Sequence, residues 1–213
     1  MKLNLVPLLL KRLKPRSFCA TVNNASRADE ETLDLYRGYV SSCAHAWKDE
    51  SKISDVIMNS GAEHAAVVIA NIMNVAQDRV DLLTGCLRAS VYSSDEVMKP
   101  TLDFLRRGGS MRIIVDETRV DHEFMTKHPF LARIHQEGFG DQLDVVGVPY
   151  SVSQKYGYHM MIADGSCYRY ERDKTGAAAT AQFGDQAKAA ERQELFDAIW
   201  DQRAESAGAQ LQP

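Results

Sequence analysis

Two hydrophobic rhythms divide this chain. In "GAEHAAVVIANIMNVAQ", Ala62, Ala65, Ala66, Ile69, Ile72, Met73 and Ala76 recur at helical spacing. The residues are small and apolar on most faces, so this helix belongs in the interior. Ser26 precedes "RADEETLDLYRGYVSSCAHAW", whose acidic first turn suits the positive end of a helix dipole and predicts a helix from Arg27 to Trp47. The second rhythm is the short continuous apolar run. "RVDLLTG", "MRIIVDE" and "LDVVGVP" read as strands covered on both faces. Between the first two, Ser94 is a candidate N-cap with Asp95 and Glu96 in the first turn, Val97, Leu102 and Leu105 form a stripe, and Gly108-Gly109 stops the helix. "DHEFMTKHPFLARIHQEGFG" is helical and broken at Pro129, which opens a second helix.

Beyond residue 155 the rhythm changes again. "YHMMIAD" and "SCYRYE" predict a hairpin turning at Asp164-Gly165, and "AAATAQFG" a last strand. "DQAKAAERQELFDAIWDQRAE" is a closing helix that buries Leu195, Phe196 and Ile199, and "SAGAQLQP" is a frayed tail. "KISDVIMNS" has no assignable type. The order predicts an α/β fold, a mixed sheet flanked by helices on both faces. Its first half is parallel through right-handed crossovers and its second half antiparallel. The expected division is a helical extension over 1–59, the α/β domain over 60–204 and a flexible tail over 205–213.

Composition narrows the class. With 213 residues, 45% hydrophobic and 25% charged, the chain has the balance of one globular domain. A net charge of -4 argues against a general electrostatic footprint for nucleic acid, though a local basic patch is compatible with it. The scattered Cys19, Cys43, Cys86 and Cys167 contain no C-x-x-C pair and read as reduced thiols in a cytoplasmic protein. "MKLNLVPLLLKRLKPRSFCATV" is basic after its apolar stretch rather than before it, unlike a secretion signal, and is too short to span a bilayer. It reads as a docked helix or a basic amphipathic segment. No transmembrane segment is expected.

Chemistry concentrates at one histidine. His45 and His64 lie on predicted helices, and His122, His128 and His135 are spaced too widely for helical metal ligands. No H-E-x-x-H, phosphate loop or G-x-G-x-x-G occurs, so neither a metal nor a cofactor is expected. His159 opens a strand after the connector "PYSVSQKYGY", where side chains converge on open sites of α/β sheets. Tyr156, Tyr158 and Lys155 precede it, and Arg169 and Glu171 lie on the facing hairpin arm. Strand alternation puts Tyr168 and Tyr170 on one face and Arg169 and Glu171 on the other. His159 is the candidate catalytic group; Arg169, Lys155, Tyr158 and Glu171 are candidate phosphate or ligand contacts.

From about Ser60 to Gln202 the chain resembles the phospholipase D-like superfamily. The likeness lies in "AAVVIANIMNVAQDRVDLLTG", "VMKPTLDFLRRGGSMRIIVDE", "HMMIADGSCYRY", "AQFGD" and "ELFDAIW". The family pattern is H-x-K, four residues, D, then a downstream G-S-x-x-N, with two such sites facing each other. The resemblance implies that one histidine attacks phosphorus, the other protonates the leaving group, and no metal is needed. His159 matches the histidine. Met161 stands where the lysine belongs and cannot donate to a phosphate. The aspartate position holds Ser166, and no G-S-x-x-N follows.

Two readings follow. The first is a degenerate module acting in binding, sensing or assembly, of nucleic acid or a partner protein, with hydrolysis lost or weak. The second is a phosphodiesterase or nuclease in which a homodimer brings two copies of His159 together. Arg169 could replace the missing lysine if it points to the side of His159. A homo-oligomer is expected, and residues 1–59 are candidates for a protein contact through Tyr36, Tyr39 and Trp47, or pack on the domain itself.

Overall fold

The computed structural model describes residues 27–116, 120–174 and 178–209. The basic segment at 1–22, with Cys19, lies outside the described residues. The elements are α1 (Arg27–Glu50), β1 (Ile57–Ser60), α2 (Gly61–Val75), β2 (Arg79–Thr84), α3 (Ala89–Tyr92), α4 (Asp95–Arg106), β3 (Ser110–Val115), α5 (His122–Lys127), α6 (Pro129–Gln136), β4 (Leu143–Gly147), α7 (Tyr150–Ser153), β5 (His159–Ala163), β6 (Cys167–Glu171), β7 (Ala178–Phe183) and α8 (Gln186–Ala209).

One seven-stranded sheet runs in the order β1-β7-β6-β5-β2-β3-β4. Strands β2, β3 and β4 are parallel, and β5, β6, β7 and β1 join by antiparallel pairing. Helices cover both faces, as the apolar runs of β2 and β3 require. On one face Ile69, Ile72 and Met73 of α2 pack with Phe104 of α4, Phe130 of α6 and Leu82 and Ile113 of the sheet. On the other, Phe196, Ile199 and Trp200 of α8 pack with Leu83, Ile114, Ile162 and Tyr168. Each fully buried large apolar side chain contributes roughly 1.5–3 kcal/mol.

Several expectations need correcting. The untyped segment contains β1, an edge strand paired to β7 through Ile57 and Ala181. The division at residue 59 therefore falls inside a strand of the sheet. Helix α1 is integral as well, because Tyr36, Val40 and Ala44 are buried in the core around α2. Tyr36 stacks on His64 at 4.3 Å between ring centroids, and its hydroxyl donates to the Met58 carbonyl. Trp47 closes over Gly184, where an added Cβ would meet the indole at 2.6 Å. Those aromatics are engaged within the domain. Ser94 precedes α4 but makes no side-chain cap bond; its hydroxyl donates backward to the Val91 carbonyl. Leu195 is exposed rather than buried. Helix α8 also continues past Glu205 to Ala209, into the segment expected as tail.

The hairpin turns where the sequence placed it. Asp164 and Gly165 both have positive φ, 51° and 60°. The Asp164 carboxylate accepts from the backbone N–H groups of Gln77, Asp78 and Arg79 at 2.7, 3.0 and 2.8 Å. That ties the turn to the start of β2, at the opposite end of β5 from His159.

Candidate functional site

The carboxyl ends of β1, β2, β3 and β6 and the amino ends of β5 and β7 lie along one edge of the sheet. The antiparallel register puts His159 opposite Glu171 and Met161 opposite Arg169. Residues two apart on a strand share a face, and directly opposed residues share it too. His159, Met161, Arg169 and Glu171 therefore all project toward α2. The condition on Arg169 is met by strand geometry alone.

The polar atoms form a short chain. His159 Nδ1 lies 3.8 Å from Glu171 Oε1, within charge attraction though beyond hydrogen-bond length. Arg169 Nη1 donates to Glu171 Oε2 at 3.3 Å and its Nε to Asn59 Oδ1 at 3.2 Å. Asn59 is itself oriented by donating to the Ala179 carbonyl at 3.1 Å. Burial works to raise the Glu171 carboxyl, but the neighbouring imidazole and guanidinium outweigh it and hold it below its ordinary value. Burial pushes the Tyr92 phenol up, against the opposing pull of Arg169 and a hydrogen bond with Thr84.

His159 Nε2 is buried and has no hydrogen-bond partner among the described residues. The His159 side chain lines a small cleft of about 110 Å³, where pockets for drug-sized ligands span about 300–1,000 Å³. Gly85 forms the near wall, and a Cβ there would lie 3.4 Å from Nε2. The far wall is the first turn of α2, where Gly61, Ala62 and Ala65 keep the helix amino end open to the cleft. A fifteen-residue helix presents unpaired N–H groups and a positive dipole end there, which suits an anion. Lys174 also lines the cleft. Its ammonium donates to Asp116 Oδ2 at 2.5 Å, and Tyr156 donates to Asp116 Oδ1 at 2.6 Å.

Two of the expected contacts are not in the cleft. Lys155 is exposed in the turn after α7 and does not line it. Tyr158 precedes His159 by one residue, so alternation sends it to the opposite face, where it stacks between Tyr156 and Tyr170 at 5.6 Å from each. Ser166, at the family's aspartate position, is buried at the far end of the hairpin. Sequence reading missed Asn59, Gly85, Arg88, Asp116 and Lys174. Asp116 carried a usable signal, a carboxylate ending a continuous apolar strand. Asn59 carried none, since only its pairing with β7 brings it near Arg169. No group of three or more His, Cys, Asp or Glu side chains suited to a metal occurs among the described residues.

No family model and no curated protein sequence matches the chain. Solved structures do. TrmBL2, an archaeal chromatin protein, is similar with 17% identity over 83% of this chain and a TM-score of 0.48; this chain spans 60% of its length. Nuc from Salmonella typhimurium, a phospholipase D family member, has 13% identity over 71% of this chain and 96% of its own, with a TM-score of 0.48. NucT from Helicobacter pylori has 9% identity over 70% of this chain and 97% of its own, with a TM-score of 0.45. All three TM-scores lie below 0.5. Among the described residues, no helix is long and apolar enough to cross a membrane.

Proposed function

We propose that this cleft recognises a phosphodiester, in a phospholipase D-like module that serves binding, sensing or assembly and whose hydrolysis is weak or lost. The observation that carries the reading is the pairing of Arg169 with Met161 on the face of His159. The resemblance expects a cation two residues after the histidine. Met161 supplies none, and Arg169 presents a guanidinium to the same space from the next strand. Its planar fork matches phosphate oxygens, and the amino end of α2 adds N–H donors. Two features disfavour turnover. Glu171 cancels part of the Arg169 charge, which weakens stabilisation of a pentavalent transition state. Among the described residues His159 is also the only histidine lining the cleft, which offers no second imidazole there to protonate a leaving group.

The second reading, a homodimeric, metal-independent phosphodiesterase or nuclease, draws on the bare Nε2 of His159 with Glu171 behind Nδ1. A nucleophilic imidazole needs a carboxylate on that side, drawn in from the present 3.8 Å to hydrogen-bond length, and Nε2 opened to the cleft. Two measurements separate the readings. Titration with dimethyl phosphate should show binding that falls at least tenfold in Arg169→Ala; unaltered binding in that variant would sink the proposal. Hydrolysis of a chromogenic diester and of single-stranded DNA and RNA, without metal, should not exceed that of His159→Ala. Turnover abolished by that substitution would establish the dimeric enzyme instead.

A further inference from the structure

The cations at the cleft are not equivalent. Arg169 is bound to Glu171 and Asn59, and Lys174 to Asp116. Arg88 also lines the cleft and is exposed; its carbonyl accepts from the N–H groups of Val91 and Tyr92, but its guanidinium has no ion pair or hydrogen bond among the described residues. It sits on the turn Gly85–Arg88, which links β2 to α3 and at whose first residue an added Cβ would lie 3.4 Å from His159 Nε2.

The turn is held in an unfavourable conformation. Leu87 has φ 50°, the left-handed region that a branched apolar residue rarely adopts, and its side chain is fully buried. The Leu87 side chain thus anchors inward, while Cys86 and Arg88 on either side face the cleft. Backbone strain of this kind persists only where the surroundings over-determine it. Its result here is an unpaired guanidinium at the rim of a cavity that fits about one phosphoryl group.

We infer that Arg88 holds a second phosphate, adjoining the one in the cleft, and that the ligand is therefore a polynucleotide strand. This rests on the phosphodiester reading of the cleft. A single diester would use Arg169 and the amino end of α2 and leave Arg88 idle. A strand carries a neighbouring phosphate on each side, within reach of a flexible arginine. A lipid surface fits the rim less well. The exposed large apolar side chains among the described residues are Leu35, Ile53, Val56, Met58 and Leu195, and none of them lines the cleft. The acidic net charge also fits this picture, because strand binding then depends on a few placed cations rather than on a basic face.

The test compares dimethyl phosphate, a short oligothymidylate and phosphatidylglycerol vesicles as ligands of the full chain, its Arg88→Gln variant and its Arg88→Lys variant. Arg88→Gln should weaken oligothymidylate binding about tenfold and make the slope of log affinity against log salt about 0.7 less negative. Dimethyl phosphate binding should be unchanged, and Arg88→Lys should restore most of the oligothymidylate affinity and the slope. If oligothymidylate binds and Arg88→Gln leaves its affinity and slope unaltered, the inference is wrong while the phosphodiester reading stands. Equal weakening of both soluble ligands would place Arg88 on the first phosphate and overturn the second. Vesicle binding lost in Arg88→Gln, with the oligonucleotide unaffected, would replace the strand with a lipid surface. If neither soluble ligand binds the full chain, the phosphodiester reading fails and takes this inference with it.

Discussion

The sheet buries a charged cluster on each face, and the two are built to opposite ends. Under α8, Arg112 donates to Asp81 at 2.7 Å through both Nε and Nη2 and to Asp197 at 2.8 Å. Gln193 donates to Asp81 and Asp197. The Arg112 guanidinium lies over the rings of Phe196 and Trp200, at 5.0 and 5.1 Å from their centroids. Hydrogen bonds to Asp81 hold its ionisation above the ordinary arginine value. Under α2, the His159–Glu171–Arg169–Asn59 chain is also charged but has one buried nitrogen without a partner, and its His159, Glu171 and Arg169 line a cleft. Burial and shifted ionisation are therefore common to both clusters and do not mark function. What distinguishes them is an unmet ring nitrogen on a side chain that lines a cleft. The closed cluster locks α8 to the sheet; the open one has capacity left for a ligand.

That contrast can be tested by perturbing each side. The largest effect should come from the closed cluster. Asp81→Ala strips Arg112 of its bidentate partner and should cost about 3 kcal/mol of stability in urea unfolding. Dimethyl phosphate affinity of the folded variant should stay as it was. A large loss of affinity would mean that the two faces are coupled. On the open side, Gly85→Ala places a methyl group 3.4 Å from His159 Nε2, an ordinary contact with no demand for positive φ. Stability should change by less than about 1 kcal/mol, while the methyl obstructs the approach to the ring and phosphodiester affinity falls about tenfold. Normal affinity in a calorimetric titration would show that Nε2 is not where the ligand sits.

The smallest effect concerns pH. The Glu171 carboxyl is held below its ordinary value in the folded chain. Its contribution to stability is therefore complete above the unfolded glutamate value of about 4.3 and is lost as pH falls through the lower folded value. Glu171→Gln should flatten this part of the acid limb, a change smaller than that of Asp81→Ala. An acid limb identical in both proteins would remove Glu171 from the account.

Much of the frame was readable because long elements impose their period. The α2 helix and the β2 and β3 runs are buried on nearly all sides, and their sequences are apolar accordingly. The hairpin announced itself through Asp164-Gly165. The strand β1 did not, since four edge residues with Met58 exposed have no period to display. For the same reason, half of the site stayed hidden. Alternation placed Arg169 and Glu171 together and would equally have removed Tyr158 from the face of His159. Asn59 reaches Arg169, and Lys174 the cleft, only through pairings or bonds with residues far away in the chain, which no local pattern encodes.

The pairing of β1 with β7 also sets an order of events. Asn59 depends on the Ala179 carbonyl, 120 positions further along, and it is Asn59 that steadies Arg169. During synthesis the chain can nucleate α2 and the parallel strands early, from nearby contacts. The cleft cannot close until β7 has left the ribosome and docked between β6 and β1. A nascent or truncated product lacking β7 thus holds the histidine and the arginine without the strand that fixes Asn59 beside Arg169.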